Sequence, residues 1–126
     1  MRFVFTIYHD RKVMDALSDK ERQALIDAAI EYAEDLRRSG HYIASDALQR
    51  PDAGRIVRMT GGTVSTAAGP FAETKEQLGG FFLIEARDLD EACAIAARFP
   101  ALRLGVIEVR PVLELQHSRD QRGLPR

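Results

Sequence analysis

A single cysteine, Cys93, stands among 126 residues, so no disulfide can close within the chain. Excess charge of one sign is also lacking. With 18 Lys and Arg against 19 Asp and Glu the formal charge is -1, which removes the electrostatic footprint of a protein that grips a nucleic-acid backbone or an acidic membrane. No apolar run is long enough to span a bilayer. The opening Met1 to Lys12 is too short and too soon charged for a signal peptide, and a cytoplasmic location is expected. His9, His41 and His117 are too scattered, from one another and from Cys93, for metal-ligand spacing, so no metal site is expected. Neither a repeat nor a low-complexity block interrupts the chain. What is present, 45% hydrophobic and 29% charged residues, is the balance of one globular domain with an ordinary core.

Residues 3 to 9 alternate with a period of two, Phe3, Phe5 and Ile7 against Val4, Thr6 and Tyr8, which predicts a first strand. A polar stretch leads to Ser18-Asp19-Lys20-Glu21, a capping box that opens a helix ended by Gly40. Leu25, Ala28, Ala29, Tyr32 and Leu36 form its core stripe. Ile26, Ile30 and Ala33 widen the apolar sector beyond what one sheet needs, an excess that a subunit contact can use. A second strand is expected over His41 to Leu48, then turn chemistry at Arg50 to Gly54. Arg55 to Thr60, Gly61-Gly62 and Thr63 to Thr66 read as a hairpin, because paired glycines supply the turn's positive φ angles. Ala67 to Leu78 reads as a loop.

Phe81 to Ala86 is apolar on both alternating faces through Ile84, the pattern of a strand covered on both sides. Asp88-Leu89-Asp90-Glu91 caps a second helix whose predicted stripe is Leu89, Ala92, Cys93, Ala96 and Phe99, with Cys93 read as packing. Leu104 to Val112 is a last strand, and residues 114–126 form a polar tail after a domain over residues 1–113. The order is that of an α+β, ferredoxin-like βαβ(hairpin)βαβ core with an antiparallel sheet. Helices on one face leave Val4, Tyr8 and part of the Phe81 to Ile84 run uncovered, so two sheets are expected to stack as a homodimer.

The string Gly69-Pro70-Phe71-Ala72-Glu73-Thr74-Lys75-Glu76-Gln77-Leu78-Gly79-Gly80-Phe81 closely resembles the YCII-related family, in the branch named for an aspartate-glycine-proline-phenylalanine signature. Phe3 to Tyr8, Ala47-Leu48, Asp88 to Ala92 and Ile107 to Val112 agree with it. The resemblance covers roughly residues 1 to 113 and implies a dimeric α/β barrel with a pocket near the dimer-facing side of the sheet. Some relatives look like small-molecule lyases acting on hydroxylated rings through a His-Asp pair whose histidine lies on the first helix. Here residues 19 to 39 hold no histidine, and Ala68 replaces the signature aspartate. Association of this branch with alternative sigma factors implies a second possibility, a non-catalytic regulatory module.

Three constellations carry candidate chemistry. The loop reads either as a ligand site, with Pro70, Phe71, Glu73, Thr74, Lys75 and Glu76 beside a cavity, or as a structural clasp with Phe71 plugging the dimer core. Glu108 and Arg110 share a strand face; they either pair with each other or leave Arg110 to hold a substrate anion. His9 is the one histidine near an expected cleft, either a surface residue or a general base oriented by Asp46; for any turnover His9 or Asp46 is the base, with Tyr8 as donor. The function expected is binding of a small anionic or aromatic metabolite, with any turnover a cofactor-independent elimination or isomerisation.

Overall fold

Alternation along Arg2–Asp10 (β1) buries Phe3, Phe5 and Ile7 and leaves Val4, Thr6 and Tyr8 half-buried, as a strand with one packed face must. The computed structural model describes residues 1–115. After β1 come α1 (Arg11–Asp15), α2 (Asp19–Arg38), β2 (Tyr42–Ala47), β3 (Arg55–Thr60), β4 (Thr63–Ala68), β5 (Glu76–Glu85), α3 (Leu89–Ala96) and β6 (Gly105–Pro111). Four strands pair antiparallel in the order β2-β5-β1-β6, the arrangement of a ferredoxin-like pair of split βαβ units. β3 and β4 form a separate two-stranded sheet, with Gly61 and Gly62 both at positive φ in its turn. No described helix is long and apolar enough to cross a membrane.

The start of α2 is fixed by its own side chains. Glu21 N–H donates to Ser18 Oγ at 3.0 Å and Ser18 N–H donates back to Glu21 Oε1 at 2.9 Å, so two amides that the first turn leaves unpaired are satisfied. At its other end His41 N–H reaches Leu36 O at 2.9 Å and Gly40 N–H reaches Arg37 O at 3.1 Å, closing the last turn. At the start of α3, Glu91 N–H donates to Asp88 Oδ1 at 2.9 Å, while the Glu91 carboxylate accepts from Arg87 N–H at 2.8 Å, one residue before the cap.

Both α2 and α3 lie on the face that carries Phe3, Phe5, Ile7, Phe82 and Ile84. Tyr32 is the joint. Its ring meets Phe82 and Phe99 edge-on at 5.4 and 5.5 Å, and its hydroxyl donates to Ile95 O at 2.6 Å, tying α2 to α3. Removed from water there, the phenol is pushed up to about 12.

Four sequence expectations are corrected. The polar stretch after β1 contains a short helix, α1, because Asp10 Oδ1 accepts from Lys12 N–H at 3.0 Å and caps a turn that buries nothing and so shows no apolar period. β4 runs on to Ala68 and β5 begins at Glu76, shortening the expected loop at both ends. Cys93 is exposed, and so is Leu89: the buried side of this short helix is Ala92, Ile95 and Ala96, turned by roughly 50° from the predicted stripe at 100° per residue. Glu114, read as tail, accepts from Arg2 Nε and a terminal guanidinium nitrogen, both at 3.1 Å. The tail beyond residue 115, with His117, lies outside the described residues.

Tyr32→Phe keeps the ring contacts and leaves the Ile95 carbonyl only its 3.2 Å bond from Arg98 N–H, so a loss of about 1 kcal/mol of unfolding free energy is expected. Urea denaturation checks it; an unchanged midpoint would remove the hydroxyl from its assigned role.

Candidate functional site

The N-terminal half of α2 stands off the sheet. Tyr32, Ala33 and Leu36 are buried, whereas Leu25, Ala28 and Ala29 are half-buried and Ile26 and Ile30 remain 47% and 54% exposed. Between that half-helix and the β2-β5-β1 surface lies a cleft of about 450 Å³. Leu25, Ile26, Ala29, Ile30 and Ala33 form the helix wall; Ile7, Ala47, Gly80 and Phe82 belong to the sheet wall. Polar groups are few, namely His9, Arg22, Arg37, Ser45 and Asp46 with Tyr42 beside them. An apolar cleft with a handful of polar groups is the ordinary form of a small-molecule site. Its place differs from the expectation, since it opens on the helix-covered face rather than the bare one.

His9 owes its position to a β-bulge. Ile7 pairs with Gly80 and Tyr8 with Leu78, so Gly79 is an extra residue in β5, and the imidazole lies across it. A Cβ at residue 79 would sit 2.5 Å from His9 Cδ2, which only glycine avoids. Nδ1 is sealed from solvent with no hydrogen-bond partner, leaving Nε2 as the nitrogen a ligand in the cleft meets. Burial, then the nearby Arg11 charge, lowers the pKa, because an imidazolium there has neither water nor an acceptor at Nδ1. The ring is therefore neutral at pH 7, the form that accepts a proton.

Arg37 and Arg22 are less free than His9. The Arg37 guanidinium stacks 4.2 Å from the Tyr42 ring, and Tyr42 and Ser45 share a hydroxyl hydrogen bond of 2.8 Å. Arg22 donates to Met14 O at 3.1 Å, holding the short helix α1 against the start of α2. None of Ser45, Arg22 or Arg37 was singled out from sequence; the one pointer was the apolar excess at Ile26 and Ile30.

The other predicted residues divide between places. Asp46 borders the cleft, exposed, but the unpartnered Nδ1 shows that it does not orient His9. Tyr8 faces the opposite side of the sheet from His9, since successive strand residues alternate, and its neighbours are Leu78 and Val106. Glu108 and Arg110 stand on that same bare face and bond to each other, with Nε donating at 2.8 Å and a terminal nitrogen also bonded.

The Gly69 to Glu76 segment is held as a clasp away from the cleft. Gly69 donates to Gly54 O at 3.0 Å and passes so near Pro51 O that a Cβ would lie 2.6 Å from it. Gln77 Nε2 donates to Ala72 O at 2.7 Å and Thr74 O at 2.9 Å, and Thr74 Oγ1 donates to Glu76 O at 2.7 Å. Phe71, after Pro70, is 71% exposed beneath Arg58 and plugs nothing in the single chain. Glu73 is exposed and Glu76 is half-buried opposite Asp10, while Thr74 and Lys75 border a second recess with Asp10, Arg11 and Lys12. Among the described residues no cluster of His, Cys, Asp or Glu is placed to hold a metal ion.

The model of the YCII-related domain matches residues 1–116. The chain belongs to the YCII-related family. It is 32% identical over 114 residues to an uncharacterised protein of Rhizobium meliloti (strain 1021), covering 89% of this chain and 92% of that one. Among solved structures it is similar to the 5-chloro-2-hydroxyhydroquinone dehydrochlorinase TftG from Burkholderia phenoliruptrix AC1100, in complex with 2,5-dihydroxybenzoquinone. That likeness has a TM-score of 0.54 at 16% identity and spans 90% of this chain and 94% of the other, which makes it a likeness of fold. Both the YCII-related match and this likeness agree with the mixed α+β architecture.

The lowered His9 value fixes a sign for pH dependence. An unfolded histidine titrates near 6.5, so the neutral ring's contribution to stability is complete above that pH and is lost as pH falls through the lower folded value. Unfolding free energy should therefore decline from pH 7 toward 5 more steeply in the parent than in His9→Gln; equal slopes in urea titrations would refute the assignment. Gly79→Ala should push the ring out and bring its NMR-titrated pKa back toward 6.5.

Proposed function

We propose that this YCII-related protein binds a small aromatic or largely apolar metabolite bearing an acidic group in the cleft under α2, and that His9 exchanges a proton with it. The observation that carries the reading is the neutral imidazole laid over Gly79, one nitrogen sealed and the other left to the cleft. Apolar walls would take up the ring of such a ligand, and Arg37 and Arg22, which line the cleft, would face its acidic group. Abstraction of a proton at Nε2, with return of that proton to another atom or departure of a leaving group, is an isomerisation or elimination that needs only the chain's own groups. A relative in fold that is a dehydrochlorinase and was captured with a dihydroxybenzoquinone supports this class of chemistry. Asp46, at the exposed border, would exchange the proton with solvent. The string from Gly69 to Gly80 supports membership of the aspartate-glycine-proline-phenylalanine branch.

The same reading includes a homodimer. Val4, Tyr8, Phe81 and Leu83 are half-buried on the helix-free face, and Leu78 and Val106 are exposed there, an apolar surface that a second sheet would cover. Tyr8, Glu108 and Arg110 would then line the junction.

Screening phenols and aromatic acids by thermal shift should return ligands that stabilise the parent but not Ala29→Phe, which fills the cleft. His9→Gln should keep such binding and lose about 10²–10⁴ in any turnover. Ligands that stabilise Ala29→Phe equally would move the site elsewhere. In sedimentation the parent should run at twice the chain mass and Leu83→Glu at the chain mass; a monomeric parent would end the dimer reading.

A further inference from the structure

A second recess, of about 360 Å³, lies at the corner where β1 passes into α1 and is closed by the segment before β5. Five residues line it, Asp10, Arg11, Lys12, Thr74 and Lys75, three cations against one carboxylate. That carboxylate is committed. Its Oδ1 accepts from the Lys12 backbone N–H at 3.0 Å and its Oδ2 faces Lys75 Nζ at 3.7 Å. Arg11 is poorly neutralised: its contact with Asp15 is long, 3.4 Å, and the same Asp15 oxygen accepts from Arg50 at 2.7 Å. Arg11 Nε is buried with no acceptor among the described residues, a desolvated donor on a charged group, which folding tolerates only at a cost. Lys12 is exposed and makes no side-chain ion pair among the described residues.

We propose that this recess is an oxyanion site, taking the phosphate or carboxylate group of a small molecule on Arg11, Lys12 and Lys75. An oxyanion seated there supplies the counter-charge that Asp10 and Asp15 cannot, because both are already shared. Arg11 adds its charge at the wall of the recess, where Nε is sealed and one terminal nitrogen is shared with Asp15, leaving the other terminal nitrogen for the anion, and the two lysines are flexible point charges. The clasp of Gln77 and Thr74 gives the site a firm wall, since it fixes the backbone that carries Lys75. The recess shares no lining residue with the cleft under α2.

Titration of the full chain with inorganic phosphate, and separately with acetate, followed by amide NMR at ionic strength held constant with chloride, tests the site. Saturable shifts are expected at Lys12, Thr74 and Lys75 and not at Ile26 or Ile30 in the cleft. Saturation by phosphate alone would assign phosphate esters, and saturation by both ions would assign oxyanions in general. Arg11→Gln should weaken phosphate about tenfold, the loss of one hydrogen bond to a charged group. Lys12→Gln, at an exposed side chain without bonds, tests the same point without risk to folding. Shifts that fail to saturate, that chloride reproduces, that fall elsewhere, or that Lys12→Gln leaves unweakened would overturn the proposal.

Discussion

Tyr32 ties the helical layer to itself and to the sheet, and the geometry of the cleft follows from where that tie sits. Its ring is wedged between Phe82 and Phe99, and its hydroxyl closes on the Ile95 carbonyl at the end of α3. A buried hydroxyl that found no acceptor would cost about 1–3 kcal/mol, so α2 can approach the sheet closely only where this bond forms. That point is in the helix's C-terminal half. The N-terminal half, with smaller residues facing the sheet and Arg22 bonded to α1 instead, is left standing over a gap.

The same economy governs the sheet. A bulge at Gly79 leaves room for one ring, and His9 occupies it, so a local irregularity of β5 decides where a neutral imidazole lies. Downstream effects are electrostatic. With no acceptor at Nδ1 the charged ring is disfavoured, and with Arg11 nearby it is disfavoured further. The Gly69 to Gly80 string has a structural task in this chain: Gly69, Thr74 and Gln77 use their polar groups to fix the chain's return into β5. Ala68, just before that string, ends β4 exposed and paired with Arg55. A binding role for this segment therefore rests on the side chains left over, chiefly Lys75.

Strand periodicity, capping boxes and paired glycines act over a few residues, and they made the elements legible: β1, α2, the hairpin, α3 and β6 can all be placed from residues 3 to 112 without coordinates. The order of those elements in turn restricts the sheet to a ferredoxin-like arrangement. Elements that bury nothing were invisible, α1 above all, because a turn held by one carboxylate leaves no hydrophobic pattern. Cys93 was misplaced because on an eight-residue helix only roughly 50° separates two stripes that fit the sequence nearly equally.

His9 was legible as a titratable group beside an expected cleft, and Ile26 and Ile30 as an apolar surplus. Which face the cleft opens on, and that Tyr8 stands across the sheet from His9, was decided in three dimensions. Sequence alone determines those strands, helices and turns that carry a cap, a period or paired glycines, since these signals answer to neighbours three or four positions away. The tertiary structure decides which side chains share a space, because a one-residue bulge and the tilt of one helix depend on contacts between residues as distant as Tyr32 and Ile95.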